Sequence, residues 1–148
     1  MKKAFLALVA VAALCLTGCG KNYVEEYLGD YECTMTATIN TNELGPVSQS
    51  LSSDFTIKEG TNDGEVVLEF TDIDLILRGT VDKEGLHIEQ SNLKFKYNIA
   101  DVDVVMNKCD AVLKDKKLVW ATTGTGKVIA GSATFEGDGN VAFDATKK

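Results

Sequence analysis

The fold is decided by ten residues with the sequence YECTMTATIN, at positions 31–40. Apolar side chains stand at every second position, from Tyr31 through Met35 to Ile39, and polar residues separate them. In an extended strand successive side chains point to opposite faces, so a period of two places all the apolar members on one face. The stretch therefore predicts a β-strand with one buried side and one solvent-facing side.

The same alternation recurs from this stretch to the end of the chain. Polar turns at 42–46, 60–64 and 82–85 separate the strands, and residues 137–140 are predicted to form a further turn. About eight to ten antiparallel strands with short turns predict an all-β barrel or sandwich, and an up-and-down barrel is the simplest arrangement. The inward-facing sets are predicted at Leu51–Ile57, Val66–Phe70, Ile73–Leu77, Leu86–Ile88, Leu93–Tyr97, Val102–Met106, Cys109–Leu113, Leu118–Trp120, Ala133–Phe135 and Val141–Phe143.

The composition is that of an ordinary globular protein with one domain: 148 residues, of which 45% are hydrophobic and 25% charged. A formal net charge of −7 argues against a nucleic-acid partner, because binding phosphates requires a basic surface. One His and four Cys leave little material for acid–base catalysis or a metal centre. We therefore expect no enzymatic activity, no cofactor and no metal.

The amino terminus has the parts of an export signal. Lys2 and Lys3 precede an apolar run at 4–16, which would span roughly 20 Å as a helix and is too short to cross a bilayer. The residues LTGC at 16–19 resemble the bacterial lipobox. This resemblance implies cleavage after residue 18 and acylation of Cys19. The alternative is an ordinary cleavable signal peptide with a chance Cys.

The lipoprotein resemblance divides the chain into a signal peptide (1–18), a lipid-anchored segment (19–28) and a barrel domain (29–148). Gly20 stands where some inner-membrane lipoproteins carry Asp, which implies anchoring in the outer membrane. Whether the protein then faces the periplasm or the cell surface stays open. In the anchored segment, the apolar spacing over Lys21–Leu28 predicts one or two helical turns that plug the barrel.

A second resemblance concerns the start of the first strand. Residues 27–31, Tyr-Leu-Gly-Asp-Tyr, resemble the Gly-x-aromatic opening of lipocalin-like chains, with Tyr31 where lipocalins carry Trp. Together with the strand pattern and the leader, the mature chain resembles the calycin-like β-barrel lipoproteins of bacteria. That family implies a small barrel and no established common activity or ligand.

The barrel interior is the first candidate site. An eight-stranded barrel is either filled by its own side chains or holds one small ligand, and both possibilities stay open here. The first functional hypothesis is non-covalent binding of a small apolar or amphipathic ligand in the barrel or at its mouth. The inward side chains that would fill or line it are Met35, Phe55, Phe70, Phe95, Tyr97, Met106 and Trp120, with Phe135 and Phe143.

A Gly-rich segment, Thr123-Gly124-Thr125-Gly126-Lys127, gives the alternative functional hypothesis. It lacks two of the fixed residues of a phosphate-binding loop, and no strand–helix unit surrounds it. It is similar to the Ser-Gly-Ser-Gly-x-basic loop of membrane-bound lysozyme inhibitors, which are also β-barrel lipoproteins. That resemblance implies a loop in which Thr123, Thr125 and Lys127 contact a hydrolase. The other interpretation is a turn, or a strand that another backbone approaches closely.

Cys33 and Cys109 are the thiols that remain once Cys19 is acylated and the signal peptide is removed. Both occupy inward strand positions, which favours either a disulfide or two buried thiols packed together. Neither is a convincing nucleophile, because the single His of the chain, His87, is expected on the outward face.

Two similar segments, DIDLIL at 72–77 and DVDVVM at 101–106, each place two carboxylates on one strand face. If these strands were neighbours, four carboxylates would cluster and offer a Ca²⁺ site. Otherwise the acids are solvated, with Lys94 and Lys96 available as partners on the adjacent strand.

Overall fold

The structure is a computed structural model that describes residues 23–148. The signal peptide predicted at 1–18 and the acylation site predicted at Cys19 lie outside the described residues. A short helix, α1 (23–27), precedes ten strands. The strands are β1 (Gly29–Thr41), β2 (Gly45–Glu59), β3 (Glu65–Phe70), β4 (Ile76–Asp82), β5 (Gly85–Ile88), β6 (Ser91–Tyr97), β7 (Ala100–Met106), β8 (Cys109–Lys114), β9 (Lys117–Ala130) and β10 (Ala133–Lys147).

Eight of the strands form a closed antiparallel barrel in the order β10-β1-β2-β3-β4-β5-β8-β9, with β9 returning to β10. The predicted all-β, up-and-down barrel is thereby confirmed, and it is compatible with a calycin-like fold. Closure gives every barrel strand two neighbours, which removes the exposed edges of an open sheet.

The one departure from a simple meander is the hairpin of β6 and β7. The barrel passes directly from β5 to β8, and the hairpin lies beside the second half of the long strand β9. The register shows how β9 is shared, because Leu118 is opposite Leu113 of β8, while Lys127 is opposite Asp103 of β7. The sheet therefore has a closed half around β8 and an extended half around β6 and β7.

Helix α1 closes one end of the barrel. Val24 and Tyr27 are buried, the Tyr31 hydroxyl donates to the Tyr27 carbonyl at 2.7 Å, and the Leu113 N–H donates to the Tyr27 hydroxyl at 3.0 Å. The helical turns predicted before the first strand are confirmed at 23–27. Among residues 23–148, no helix combines the length and hydrophobicity needed to cross a bilayer.

The Gly-rich segments at 123–127 and 137–140 both lie in strands, and the prediction of a turn at 137–140 was wrong. Both regions belong to β9 and β10, where Gly124 is opposite Gly139 and Gly126 is opposite Gly137. A β-carbon at Gly137 would overlap the Asn40 carbonyl. These glycines therefore permit close backbone approach within a curled sheet, and they do not mark turns.

Candidate functional site

The interior of the closed half is filled by aromatic rings. Tyr31 and Phe55 stack with centroids 4.9 Å apart, and Trp120 and Phe143 stack at 4.4 Å. Phe70 lies 4.8 Å from Phe55 and 6.2 Å from Phe143, and it joins the two stacks. Of the proposed ligand-lining side chains, five are buried in this core or beside it: Met35, Phe55, Phe70, Met106 and Trp120.

Phe95 and Tyr97, the other two proposed lining residues, lie at the opposite end from α1. Phe95 belongs to a row of inward side chains that crosses β6, β7, β9 and β10 through Val102, Val128 and Phe135. Phe95, Tyr97 and Phe135 are half-buried and pack on the core below them. The inward face at this end, which we call the mouth, is thus apolar, aromatic and partly open to solvent.

The sheet is not closed around the mouth. Within the part of the chain that the structure describes, β6 pairs with β7 alone, and residues 45–52 of β2 pair with β1 alone, since β3 meets β2 from Phe55 onward. The extended half of the sheet therefore has two strand edges without a further pairing partner among the described residues.

The segment Thr123–Lys127 is not a loop, and that prediction was wrong. It lies in the middle of β9 and is paired on one side with β10; residues 124–127 are also paired with β7 on the other side. The alternative interpretation, a strand with close backbone approach, is confirmed, because a β-carbon at Gly124 would overlap the Val105 carbonyl. The side chains of Thr123, Thr125 and Lys127 are nevertheless exposed, in a row on the outer face of the sheet.

The two acidic segments do not come together. Asp72 and Asp74 lie in the connection between β3 and β4, whereas Asp101 and Asp103 lie on β7, which neighbours β6 and β9. A four-carboxylate Ca²⁺ site is therefore not assembled, and the solvated interpretation is confirmed for Asp101, which forms an ion pair with a lysine of β6 at 2.8 Å.

Cys33 and Cys109 are both free thiols, so of the two alternatives the disulfide is not formed. Cys33 is buried in the core, and Cys109 is half-buried and packs against the same core. Burial raises the pKa of the Cys33 thiol to about 12 and that of Cys109 above its usual value, so both thiols are weak nucleophiles.

His87 faces outward, as predicted, but the two carboxylates that lie beside its ring were not predicted. Its Nδ1 lies 2.7 Å from the Asp110 carboxylate, and its Nε2 lies 3.0 Å from both oxygens of Asp82. Both hydrogen bonds raise the pKa of His87, and the hydrogen bond with Asp110 has the larger effect. Asp82 was recognisable from sequence as a turn residue five positions before the histidine, but Asp110 comes from β8, whose pairing with β5 the alternation does not reveal.

No protein-family model matches the chain, and no curated protein matches it. Its function is therefore argued from the barrel itself.

Proposed function

We propose that the protein is a membrane-anchored, non-enzymatic lipoprotein that binds a small apolar or amphipathic ligand at the mouth of its barrel. The observation that carries the proposal is the contrast between the two ends. The aromatic rings near α1 are buried against one another, whereas Phe95, Tyr97 and Phe135 at the other end are partly exposed in the part of the sheet where β6 is an edge strand. Partly exposed aromatic side chains grouped on an apolar face are typical of a binding surface.

The proposed anchor agrees with this orientation. Cys19 precedes α1 by four residues, and α1 covers the closed end of the barrel. Acylation at Cys19 would hold the closed end near the outer membrane and direct the mouth away from it. Loss of Lys2 and Lys3 with the signal peptide changes the formal charge from −7 to −9. Acyl chains rather than a basic patch would then provide the membrane affinity.

Ligand binding is tested on the soluble chain that begins at Lys21, with palmitate, cholesterol and haem as probes. A bound probe at about 100 times its dissociation constant stabilises the fold by roughly 2.7 kcal/mol, which a thermal melt detects as a shift of several degrees. Full burial of a Phe side chain is worth about 1.5–3 kcal/mol, so Phe95→Ala at this half-buried position weakens binding by roughly five- to tenfold.

Lys94→Ala is the matched control, because Lys94 is the preceding residue of β6 and points to the other face. The Lys94→Ala variant should bind the probe with the same affinity as the unchanged protein. If none of the three probes shifts the melting temperature, or if both variants bind equally, the mouth is not the binding site.

The anchor is tested separately in cells supplied with labelled palmitate. Cys19→Ala should accumulate as an unprocessed precursor without label, whereas Cys15→Ala should be processed and labelled normally. Equal labelling of the two variants would contradict the lipoprotein assignment without bearing on the ligand.

The exposed row on β9 supports a second candidate, recognition of a hydrolase such as lysozyme by the outer face. Thr123, Thr125 and Lys127 present two hydroxyl groups and one ammonium group on a rigid strand. If this candidate holds, the protein inhibits lysozyme and Lys127→Glu removes the inhibition. Unchanged lysozyme activity in the presence of excess protein would exclude it.

A further inference from the structure

Four side chains with metal-binding chemistry meet on the outer surface, where the β4–β5 hairpin lies beside β8. Asp82 ends β4, Glu84 lies in the two-residue turn, His87 follows on β5, and Asp110 is directly opposite His87 on β8. Neither functional candidate above uses any of them. The backbone holds them rigidly, because Glu84 N–H donates to Asp82 Oδ1 at 2.8 Å and both strands are paired on each side.

The distances suit a single small cation. Ligand atoms of Asp82, Glu84 and His87 all lie within 4.8 Å of one another, and His87 Nε2 is 3.0 Å from each Asp82 oxygen. In a tetrahedral zinc site, bonds of about 2.0–2.2 Å place neighbouring ligand atoms about 3.3 Å apart. The nitrogen and the carboxylate are thus near their final spacing, and the exposed Glu84 side chain needs to move by about 1–2 Å.

The fourth residue, Asp110, prepares the imidazole for this role. Its carboxylate accepts a hydrogen bond from Nδ1 at 2.7 Å, which leaves Nε2 as the nitrogen with a free lone pair in the neutral ring. A carboxylate on the second nitrogen is the usual outer partner of a metal-binding histidine, since it fixes ring orientation and increases basicity. Nε2 faces both Asp82 oxygens at 3.0 Å, so any proton that it carries has to leave before a cation binds there.

We propose that Asp82, Glu84 and His87 bind a divalent transition-metal ion such as Zn²⁺, with Asp110 as the positioning residue. One imidazole and two carboxylates favour zinc over calcium or magnesium, which prefer oxygen ligands alone. Three protein ligands leave a fourth position to water. The ion would connect β4, the turn and β5 on the outer surface of the barrel. Its binding would be independent of the ligand proposed at the mouth.

The test uses the full-length chain, purified in detergent without an affinity tag and freed of metal. Titration calorimetry with zinc chloride should give one site per chain. Because the chain has a single histidine, the imidazole ¹⁵N resonances report on His87 alone, and the Nε2 signal should move on zinc addition. His87→Ala and Asp82→Asn should remove this site, and Asp110→Ala should weaken it by about 10-fold or more.

Two controls separate this site from the surrounding acidic surface and from the thiols. Glu89→Gln changes an exposed acid of the same region, and Cys109→Ser changes the nearest thiol; neither should alter zinc affinity. Circular dichroism verifies that each variant is folded. Zinc affinity of both His87→Ala and Asp82→Asn within twofold of the unchanged protein, or an Nε2 resonance that does not move at saturating zinc, would overturn the proposal.

Discussion

Substituting Phe55→Ala tests whether the aromatic rings are a packed core or the lining of a lumen. Phe55 is fully buried on β2 and contacts three other rings: it stacks on Tyr31 at 4.9 Å, lies 4.8 Å from Phe70, and meets Trp120 edge-on at 6.1 Å. Removing its ring leaves a cavity bordered by rigid aromatic neighbours, which are less able than aliphatic side chains to collapse into it.

The expected loss of unfolding free energy is about 4–5 kcal/mol, the upper part of the range measured for buried Phe→Ala substitutions. Domains are stable by about 5–15 kcal/mol, so this is a large fraction of the total. With an unfolding entropy of about 2.1 cal/mol/K per residue, a domain of this size loses roughly 0.26 kcal/mol of stability per kelvin near its midpoint. The melting temperature should therefore fall by roughly 15–19 °C.

Urea unfolding gives the free energy, and near-UV circular dichroism reports on Trp120, the single Trp of the chain. Phe95→Ala is the comparison, because its ring is half-buried at the mouth and its loss should cost only about 1 kcal/mol. If Phe55→Ala costs less than about 1.5 kcal/mol, water or a ligand already occupies the space beside the ring. The packed core would then be refuted, and the closed half would have to be treated as a lumen.

Three further measurements test other parts of the structure. Gly137→Ala should destabilise the fold by about 2 kcal/mol or more, because the added β-carbon overlaps a carbonyl of β1. Gly131→Ala should cost only about 1 kcal/mol, because Gly131 has a left-handed backbone conformation but open space around it. Urea unfolding measures both free energies. In metal-free protein, hydrogen bonds to Asp110 and Asp82 raise the pKa of His87. Their contribution to the stability of the fold is complete below the unfolded pKa of about 6.5 and is lost as pH rises through the folded pKa. An NMR titration that finds the ordinary histidine pKa would contradict this. The Cys33 thiol, with its pKa near 12 and its side chain buried, should react with a thiol reagent only after denaturation, which absorbance of the released chromophore measures.

The sequence by itself determined the strands and the direction of most side chains. Tyr31, Met35 and Ile39 are buried as their alternation predicts, and Lys94 is exposed beside the half-buried Phe95. This information is available locally because the backbone of any extended strand turns successive side chains to opposite faces. The polarity of each residue then assigns the face, whichever strand lies next to it.

The tertiary structure alone decided which strands are neighbours, and with them the sites. The passage from β5 to β8 brings Asp110 to His87, and the long strand β9 places Thr123–Lys127 between two partners instead of in a loop. The same alternation is shared by all ten strands, so it specifies no partner and no register for any of them. Pairing is set by contacts between residues far apart in the chain, such as the aromatic rings from five strands that meet in the closed half, and a local period of two carries no information about such contacts.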